Sequence, residues 1–376
     1  MKPIYLDYNG STPIAPEVVA AMHPFLSQHF GNPSSLHWAG MPAKQALEEA
    51  RCQVAALLGC VPQEIIFTSG GTESSNNSIK GAFFRLRQKG NHIITSSVEH
   101  PAVLQPCRYL ESFGADMTVL PVDGNGMVNP DDIRKAITPQ TILVSVMHAN
   151  NEVGTIQPLA EIARITREHE VLFHTDAAQS VGKIPTNVAD LGVDLLSVAG
   201  HKLYAPKGVG ALYIRQGVHL EPLMHGAGHE SGRRAGTENV LLNVALGTAC
   251  ELAATDSESL RLRLTELRDY FHAGMSRLFG DALNLNGHPT ERLPNTLNVG
   301  FAGHFGSHVL DALECVAAST GSACHSGSRE LSPVLRAMGV PADIGHGAVR
   351  FSLGRSTTKG QLDRVLALLR TRVLKR

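Results

Sequence analysis

Much of what commonly marks a protein's class is missing from this sequence. Its six cysteines (Cys52, Cys60, Cys107, Cys250, Cys315 and Cys324) are scattered, with no CxxC pair and no ladder of short spacings. That disfavours a zinc ribbon and a secreted disulfide framework, and a reducing compartment is expected. Neither sign of charge is in excess: 33 Lys and Arg against 34 Asp and Glu leave a formal net charge of −1. No global field steers the chain onto nucleic acid or an anionic membrane, so neither is expected as a direct partner. Long hydrophobic runs are lacking. The most apolar-leaning stretch, Val240 to Ala254, is interrupted by Asn243 and Glu251 and is too short to cross a bilayer. The opening residues, MKPIYLDYNG, hold no basic segment followed by an apolar one, so no signal peptide is expected and a cytoplasmic location is. Low-complexity segments, long linkers and internal repeats are absent as well.

What is present has the balance of an ordinary globular protein. At 376 residues, 43% apolar and 18% charged, the chain has ample material for a core. A prior of roughly 150 residues per domain suggests two domains. Expected strands are Glu64–Thr68, His92–Ser96, Met117–Pro121, Thr141–Met147, Val171–His174, Leu195–Val198 and Gly210–Ile214. Several are continuous β-branched runs, as in strands buried on both faces. Helix-period stretches lie between them: Pro42–Leu58, Thr72–Lys89, Ala102–Phe113, Pro130–Ile137 and Leu159–His169. This alternation implies an α/β layer around a largely parallel sheet. After about Val240 the rhythm changes to a long helix (Val240–Leu278), an extended piece (Asn295–Phe301) and a helix (Ser307–Leu313). An irregular Gly/Ser/Cys loop and a closing strand and helix (Val349–Leu353, Lys359–Leu374) follow. The expected fold is α/β: a large doubly wound, mostly parallel domain over residues 13–250, and a smaller α+β domain made of 1–12 with 251–376.

Three motifs carry chemistry. Strand Glu64–Thr68 runs into Ser69-Gly70-Gly71-Thr72-Glu73-Ser74 and then a helix. Glycines at such a turn let backbone N–H groups close on an anion, and the helix dipole adds to the attraction. The turn matches neither GxGxxG nor GxxxxGK[ST], so a phosphate monoester fits better than a nucleotide. A tight turn capped by Thr72 is the other reading. The second motif is Asp176, just past strand Val171–His174, at the usual ligand edge of an open α/β sheet. A carboxylate there can face a cationic ring nitrogen, bind a metal or cap the next turn. His174, Asp176 and His201 could suggest a metal triad, but strand alternation turns His174 away from its neighbours, and no metal is expected.

The third motif is the stretch Asp194–Ile214, in which two apolar runs enclose Gly200-His201-Lys202. Crowding by charge or burial lowers a lysine's pKa, as a Schiff-base lysine requires. A rim lysine snorkelling to water is the alternative. Asp176 precedes Lys202 by 26 residues, one strand–helix–strand step, so the two can occupy neighbouring strand ends. An anion cradle, a carboxylate and a lysine at one sheet edge are the three fixtures of pyridoxal 5'-phosphate. Its phosphate, pyridinium nitrogen and aldehyde each find a partner.

With these residues in view, the chain resembles the cysteine desulfurases and their relatives the selenocysteine lyases, the class V branch of fold-type-I pyridoxal phosphate enzymes. The blocks Tyr5–Pro13, Phe30–His37, Phe67–Ser74, Ser96–Leu104 and Met147–Pro158 carry the likeness through the first half. Phe173–Lys183, Gly200–Tyr213, Gly232–Asn239, Ser319–Gly327 and Val349–Thr357 carry it through the rest. The resemblance implies that Lys202 forms the Schiff base with the cofactor, Asp176 holds the pyridinium nitrogen and Gln179 the ring hydroxyl. Gly71, Thr72, Ser197 and His201 would take the phosphate, with Thr237 reaching in from the second subunit of a homodimer. His100 would stack on the ring and shuttle protons, Asn151 would position cofactor or substrate, and Arg350 would grip the substrate carboxylate as a bidentate guanidinium.

Cys324 decides among class V reactions. It stands in a polar, Gly-rich loop, between Ala318–Ala323 and His325-Ser326-Gly327, which suits an accessible thiol better than a buried one. Such a thiol can attack a substrate sulfur and leave as a persulfide. The other five cysteines sit in helix-like or apolar settings and read as inert. Three departures from the family pattern stand out: Tyr8-Asn9-Gly10-Ser11 in place of NNAT, Ser75 in place of an Asn, and Gly226–Glu230 reading GAGHE for GGGQE. Tyr8 and Ala323–Ser326 resemble the lyases, whereas Pro101 after His100 resembles the desulfurases. The expected activity is conversion of L-cysteine to L-alanine, with sulfur passed through Cys324 to a protein acceptor such as one in iron–sulfur cluster assembly. A selenocysteine lyase, a non-catalytic sulfur-assembly scaffold and another class V lyase or aminotransferase are the alternatives.

Overall fold

The structure, a computed structural model, describes residues 2–320 and 331–374. After a two-residue strand, β1 (Ile4–Tyr5), the chain builds one seven-stranded sheet. Its strands are β2 (Ile65–Thr68), β3 (His92–Ser96), β4 (Asp116–Leu120), β5 (Thr141–Ser145), β6 (Leu172–Asp176), β7 (Leu195–Ala199) and β8 (Gly210–Ile214). They lie in the order β2-β8-β7-β6-β5-β3-β4. Only β8 runs against the rest, antiparallel to both β2 and β7. Strands β2, β3, β5, β7 and β8 are buried at every position, whereas edge strand β4 leaves Asp116 and Val119 exposed. Such burial on both faces requires the apolar runs that the sequence supplies.

The helices of this part are α1 (Pro16–Met22), α2 (Met41–Leu58), α3 (Gly71–Leu86), α4 (Pro101–Glu111), α5 (Pro130–Ala136), α6 (Leu159–Glu168) and α7 (Val188–Leu191). Helix α2 stops at Gly59, whose φ of +69° is left-handed and whose N–H closes on Ala55 and Ala56 carbonyls. Helix α3 lies across β7 and β8 through small residues, with Ser74, Ser75 and Ser78 fully buried. Small side chains let the helix start close to the strand ends, which brings its N-terminus to the ligand edge of the sheet.

Helix α8 (Val240–Phe279) is 40 residues long and joins two apolar cores. Ala245, Leu246, Ala249 and Cys250 belong to the core of the large sheet. Leu264, Phe271, Met275 and Phe279 belong to a second core with Ile4, Leu6, Leu297, Val349 and Phe351. That second core covers an antiparallel sheet. It contains β9 (Leu283–Asn286) and β10 (Thr296–Phe301). A strand β11 (Val316–Ala317) pairs in parallel with β1, and β12 (Ala348–Ser352) completes the order β12-β10-β9.

Two features differ from the sequence expectation. Strand β6 runs on to Asp176, because its parallel register with β7 continues to the pair Asp176–Ser197. Strands β1, β9 and β11 were not expected. Two- and four-residue strands hold too little periodicity to read, and β1 exists through a partner more than 300 residues away.

Candidate active site

The carboxyl edge of the large sheet gathers the expected residues. His100 caps α4 after β3, Asp176 ends β6, Lys202 lies in the turn after β7, and Gly71 opens α3 after β2. Lys202 is half-buried. Its Nζ donates to the carbonyls of Asn9 and Gly10, the latter at 2.8 Å. Its pKa falls to about 8, chiefly through burial and then through Arg350, while Asp7 and Asp176 oppose the shift. A lowered lysine pKa is what a Schiff-base role requires.

Asp176 is buried, accepts the Ala178 N–H at 2.9 Å and makes no ion pair among the described residues. Burial raises its pKa against the opposing pull of the Ala178 N–H, His100 and Lys202. A carboxylate buried without a cation is costly. A protonated ring nitrogen is the kind of partner that would offset that cost, so the donor set fits pyridoxal phosphate. The Ser69–Ser74 turn fits as well. Gly70 has φ +147°, which a side chain rarely adopts, and a Cβ there would meet nothing within 4 Å. The N–H groups of the first turn of α3 have no acceptor within the helix, and Thr72 is exposed beside them. Glu73 steadies the turn, accepting the Ser69 N–H at 2.8 Å and pairing with Arg234 at 2.9 Å.

His100 is exposed at the carboxyl edge of the sheet. Its Nδ1 accepts the Ala102 N–H at 3.1 Å, so the neutral ring carries its proton on Nε2. Desolvation by the cleft wall lowers its pKa, Asp176 opposes that, and Lys202 adds to it. His201 is pushed down to about 4 by burial and by Lys202, Lys207 and Lys183, and is a neutral imidazole. Gln179 is buried, with Nε2 3.0 Å from the Asn9 carbonyl. Thr237 is exposed in a groove shared with Thr68, Ser69 and Gly208 of its own chain.

Arg350, on β12, is buried and already engaged. Its Nη2 lies 2.7 Å from Asp7 Oδ1 and its Nη1 3.0 Å from the Asn151 carbonyl, while Nε has no partner. Asn151 therefore meets the guanidinium through its backbone. Cys324 lies outside the described residues, but the chain on either side of it is anchored here. Ser319 pairs with Arg350 through two backbone hydrogen bonds of 3.1 and 2.6 Å, and Ser332 Oγ donates to Glu152 Oε2 at 2.5 Å.

Ser197 is the one expected phosphate ligand that the structure sets elsewhere. It is fully buried, accepting from Ser75 Oγ at 3.1 Å and lying 2.9 Å from His174 Nε2. Ala199, two residues further along the same face of β7, lies at the phosphate turn instead, where a Cβ on Gly71 would approach its Cβ to 3.2 Å. His174 also meets Ser145 Oγ at 2.8 Å, and burial lowers its pKa to about 3. A neutral Ser145–His174–Ser197–Ser75 chain thus runs beneath the site, and Ser75 completes it. Tyr8 is buried as well, 2.5 Å from Ser356 Oγ and stacked edge-on to Tyr5. Sequence reasoning missed Asn9, Asp7 and Lys183. The blocks Tyr5–Pro13 and Phe173–Lys183 contained them, but nothing in their residue types marked them as site residues.

With this geometry established, comparison with known proteins is informative. The aminotransferase class-V family model matches residues 4–365. The chain is 53% identical to cysteine desulfurase IscS of Dictyoglomus turgidum, covering 97% of this chain and 93% of that protein. It is 50% identical to cysteine desulfurase IscS of Methanosarcina thermophila, covering 98% and 91%. The chain belongs to the cysteine desulfurase family. Among solved structures in the family's fold, a NifS-like protein superposes with a TM-score of 0.92 at 37% identity over 98% of both chains. SspA in complex with cysteine superposes with a TM-score of 0.84 at 39% identity, covering 93% of this chain and 98% of that one. The family is pyridoxal-phosphate-dependent, and the α/β fold expected from the sequence is the family's fold. No helix among the described residues is long and apolar enough to cross a membrane.

Proposed function

We propose that this protein is a cysteine desulfurase that converts L-cysteine to L-alanine and passes the sulfur through Cys324 to a protein acceptor. The observation carrying this reading is the half-buried Lys202 amine, its pKa lowered, at one sheet edge with buried Asp176 and with His100. When bound, pyridoxal phosphate supplies an electron sink for a carbanion at the substrate Cα. Lys202 holds its aldehyde covalently, Asp176 keeps its ring nitrogen protonated, and Gln179 donates to its ring hydroxyl. Gly71, Thr72 and His201 take its phosphate, with Thr237 supplied by the second subunit of a homodimer. Ser197 would support this set from beneath through Ser75 of α3. His100 would lie against the ring, with its Nε2 available to move the proton at Cα. Arg350 binds the substrate carboxylate, which competes with Asp7 for the guanidinium, and the Asn151 carbonyl fixes the guanidinium plane.

Cys324 then attacks as the thiolate. A bond forms between its Sγ and the substrate sulfur as the substrate's Cβ–S bond breaks. The electron pair of that bond stays with carbon, which takes up protons to give alanine. Cys324 is the fourth residue after Thr320, a reach of up to roughly 14 Å, and Ser319 is tied to Arg350 itself. A division of the chain into 13–250 and 1–12 with 251–376 assigns Lys202 to one domain and Cys324 to the other. The near-neutral chain works in the cytoplasm and delivers sulfur to a protein partner, an iron–sulfur assembly scaffold being the leading candidate.

Mass spectrometry after addition of cysteine should find one extra sulfur on Cys324. Cys324→Ala should keep the cofactor's visible band and lose sulfur release. An unmodified Cys324 in an enzyme that still makes alanine would overturn the mechanism, and turnover of selenocysteine alone would make the protein a lyase. The Lys202 amine gives a second test. Below its pKa the protonated amine has no lone pair and cannot attack an aldehyde. The rate at which cofactor-free protein captures pyridoxal phosphate should therefore rise with pH and level off above about 8. For an ordinary lysine it would keep climbing toward about 10.4. Stopped-flow absorbance reads the difference.

A further inference from the structure

Lys183 has no part in the chemistry so far, yet it is aimed at that chemistry. It lies in the turns that follow β6, four residues after Gln179. Its Nζ sits 2.8 Å from Gln179 Oε1 and 3.5 Å from Asn9 Oδ1. Asn9 Oδ1 is itself held by Asn295 Nδ2 at 3.0 Å. The turn is wedged in place by Gly182, at φ +73°. A Cβ there would come within 2.1 Å of Leu203 Cδ1, on the residue after Lys202. The position of Lys183 is therefore tied to the turn that carries Lys202.

In its ammonium form, below a pKa of about 7, Lys183 donates and cannot accept, so the Gln179 atom it then touches is the carbonyl oxygen. The amide end of Gln179 is thereby turned the other way, where one N–H reaches the Asn9 carbonyl at 3.0 Å. Lys202 donates to that same carbonyl. Resting on the cofactor reading above and deepening it, we propose that Lys183 is a positioning residue. It locks the Gln179 carboxamide so that an N–H, and not a carbonyl, faces the ring oxygen of the cofactor. Without Lys183 only the Asn9 carbonyl directs the carboxamide, and one that turns over would present its oxygen, which would repel an anionic ring oxygen.

The charged groups bearing on this pair are few. Lys202 and Arg350 act on Lys183, and with burial they lower its pKa to about 7. Arg350, Asp7 and Asp176 act on Lys202. An N–H donated to the ring oxygen competes with that oxygen's own bond to the protonated nitrogen joined to Lys202. Losing the donor favours the protonated linkage and raises its midpoint.

The test is a pH titration of the visible band of the purified holoenzyme. Lys183→Met should move the midpoint up by about half a pH unit or more, whereas Lys183→Arg, also a pure donor, should stay at the wild-type midpoint. Gln179→Leu should reproduce the Lys183→Met shift, and the double variant should add nothing to either single change. An unmoved midpoint in Lys183→Met, or additive shifts in the double variant, would overturn the proposal while the cofactor reading stands. If Lys183→Met does not fold, Lys183→Gln, whose amide imposes no direction, should shift the midpoint the same way. A wild-type protein with no visible band would remove the cofactor reading, and this inference with it.

Discussion

Lys202→Ala is expected to abolish the covalent attachment of pyridoxal phosphate and to lower cysteine turnover by at least about 10³-fold. The loss should be this large because among the described residues no other amine is set at the end of β7 beside Asp176. Lys183, the other buried lysine near it, points its Nζ at Gln179. The fold should survive. Lys202 contributes two hydrogen bonds to carbonyls of Asn9 and Gly10, and leaving such acceptors short costs about 1–3 kcal/mol. Denaturing mass spectrometry after borohydride reduction would show the cofactor's mass retained in wild type and absent in the variant. Turnover within tenfold of wild type would transfer the role to another residue.

The second large effect concerns stability. Glu230 and Arg51 form a bidentate pair, with contacts of 2.7 and 2.9 Å, at side-chain exposures of 2% and 10%. Glu230 Oε2 also accepts the Phe67 N–H at 3.0 Å, at the centre of β2. The backbone adds strain: Glu230 and Ser231 both adopt left-handed φ, +48° and +57°, which non-glycine residues disfavour. Glu230→Ala would leave a guanidinium buried with the Ile65 carbonyl at 2.9 Å, the more distant Glu48 at 3.5 Å and the face of the Phe67 ring 4.9 Å away. Breaking a buried pair from one side costs about 3–5 kcal/mol, and urea unfolding at fixed protein and cofactor concentration should register it. Arg51→Met combined with Glu230→Leu should recover much of the loss, because no charge is then stranded. If the single variant unfolds with the wild type, the pair contributes nothing. The clamp also holds the segment that carries Thr237, so the single variant should bind phosphate-bearing cofactor more weakly as well.

Reading the sequence went furthest where chemistry depends on residue type at a strand end. Lys202, Asp176 and the Ser69–Ser74 turn were legible because a lysine, a carboxylate and paired glycines are unusual choices after buried apolar strands. The parallel-sheet rule then puts all three on one edge. The proposal for Cys324 rests on its polar, Gly-rich flanks in the sequence. The place of Ser197 was not legible. It shares a strand and a face with Ala199 and differs only in depth, so nothing in the residue types says which of the two meets the turn. The packing of α3 settles it, since Ser75 reaches Ser197 one turn further in. Asp7 and Asn9 were hidden for a different reason. Their roles come from contacts with Arg350, Lys202 and Thr296, residues nearly 200 to 340 positions away.

The amino-acid order alone determined the α/β layering, the ligand edge and the candidates for the reactive groups. These follow from local periodicity and from the intrinsic chemistry of lysine, aspartate and cysteine. Only the tertiary structure decided which polar atoms remain free. Burial and a neighbouring guanidinium lower the Lys202 pKa, Asp7 occupies Arg350, and Lys183 turns Gln179, because desolvation and hydrogen-bond satisfaction depend on neighbours that no local stretch of sequence contains.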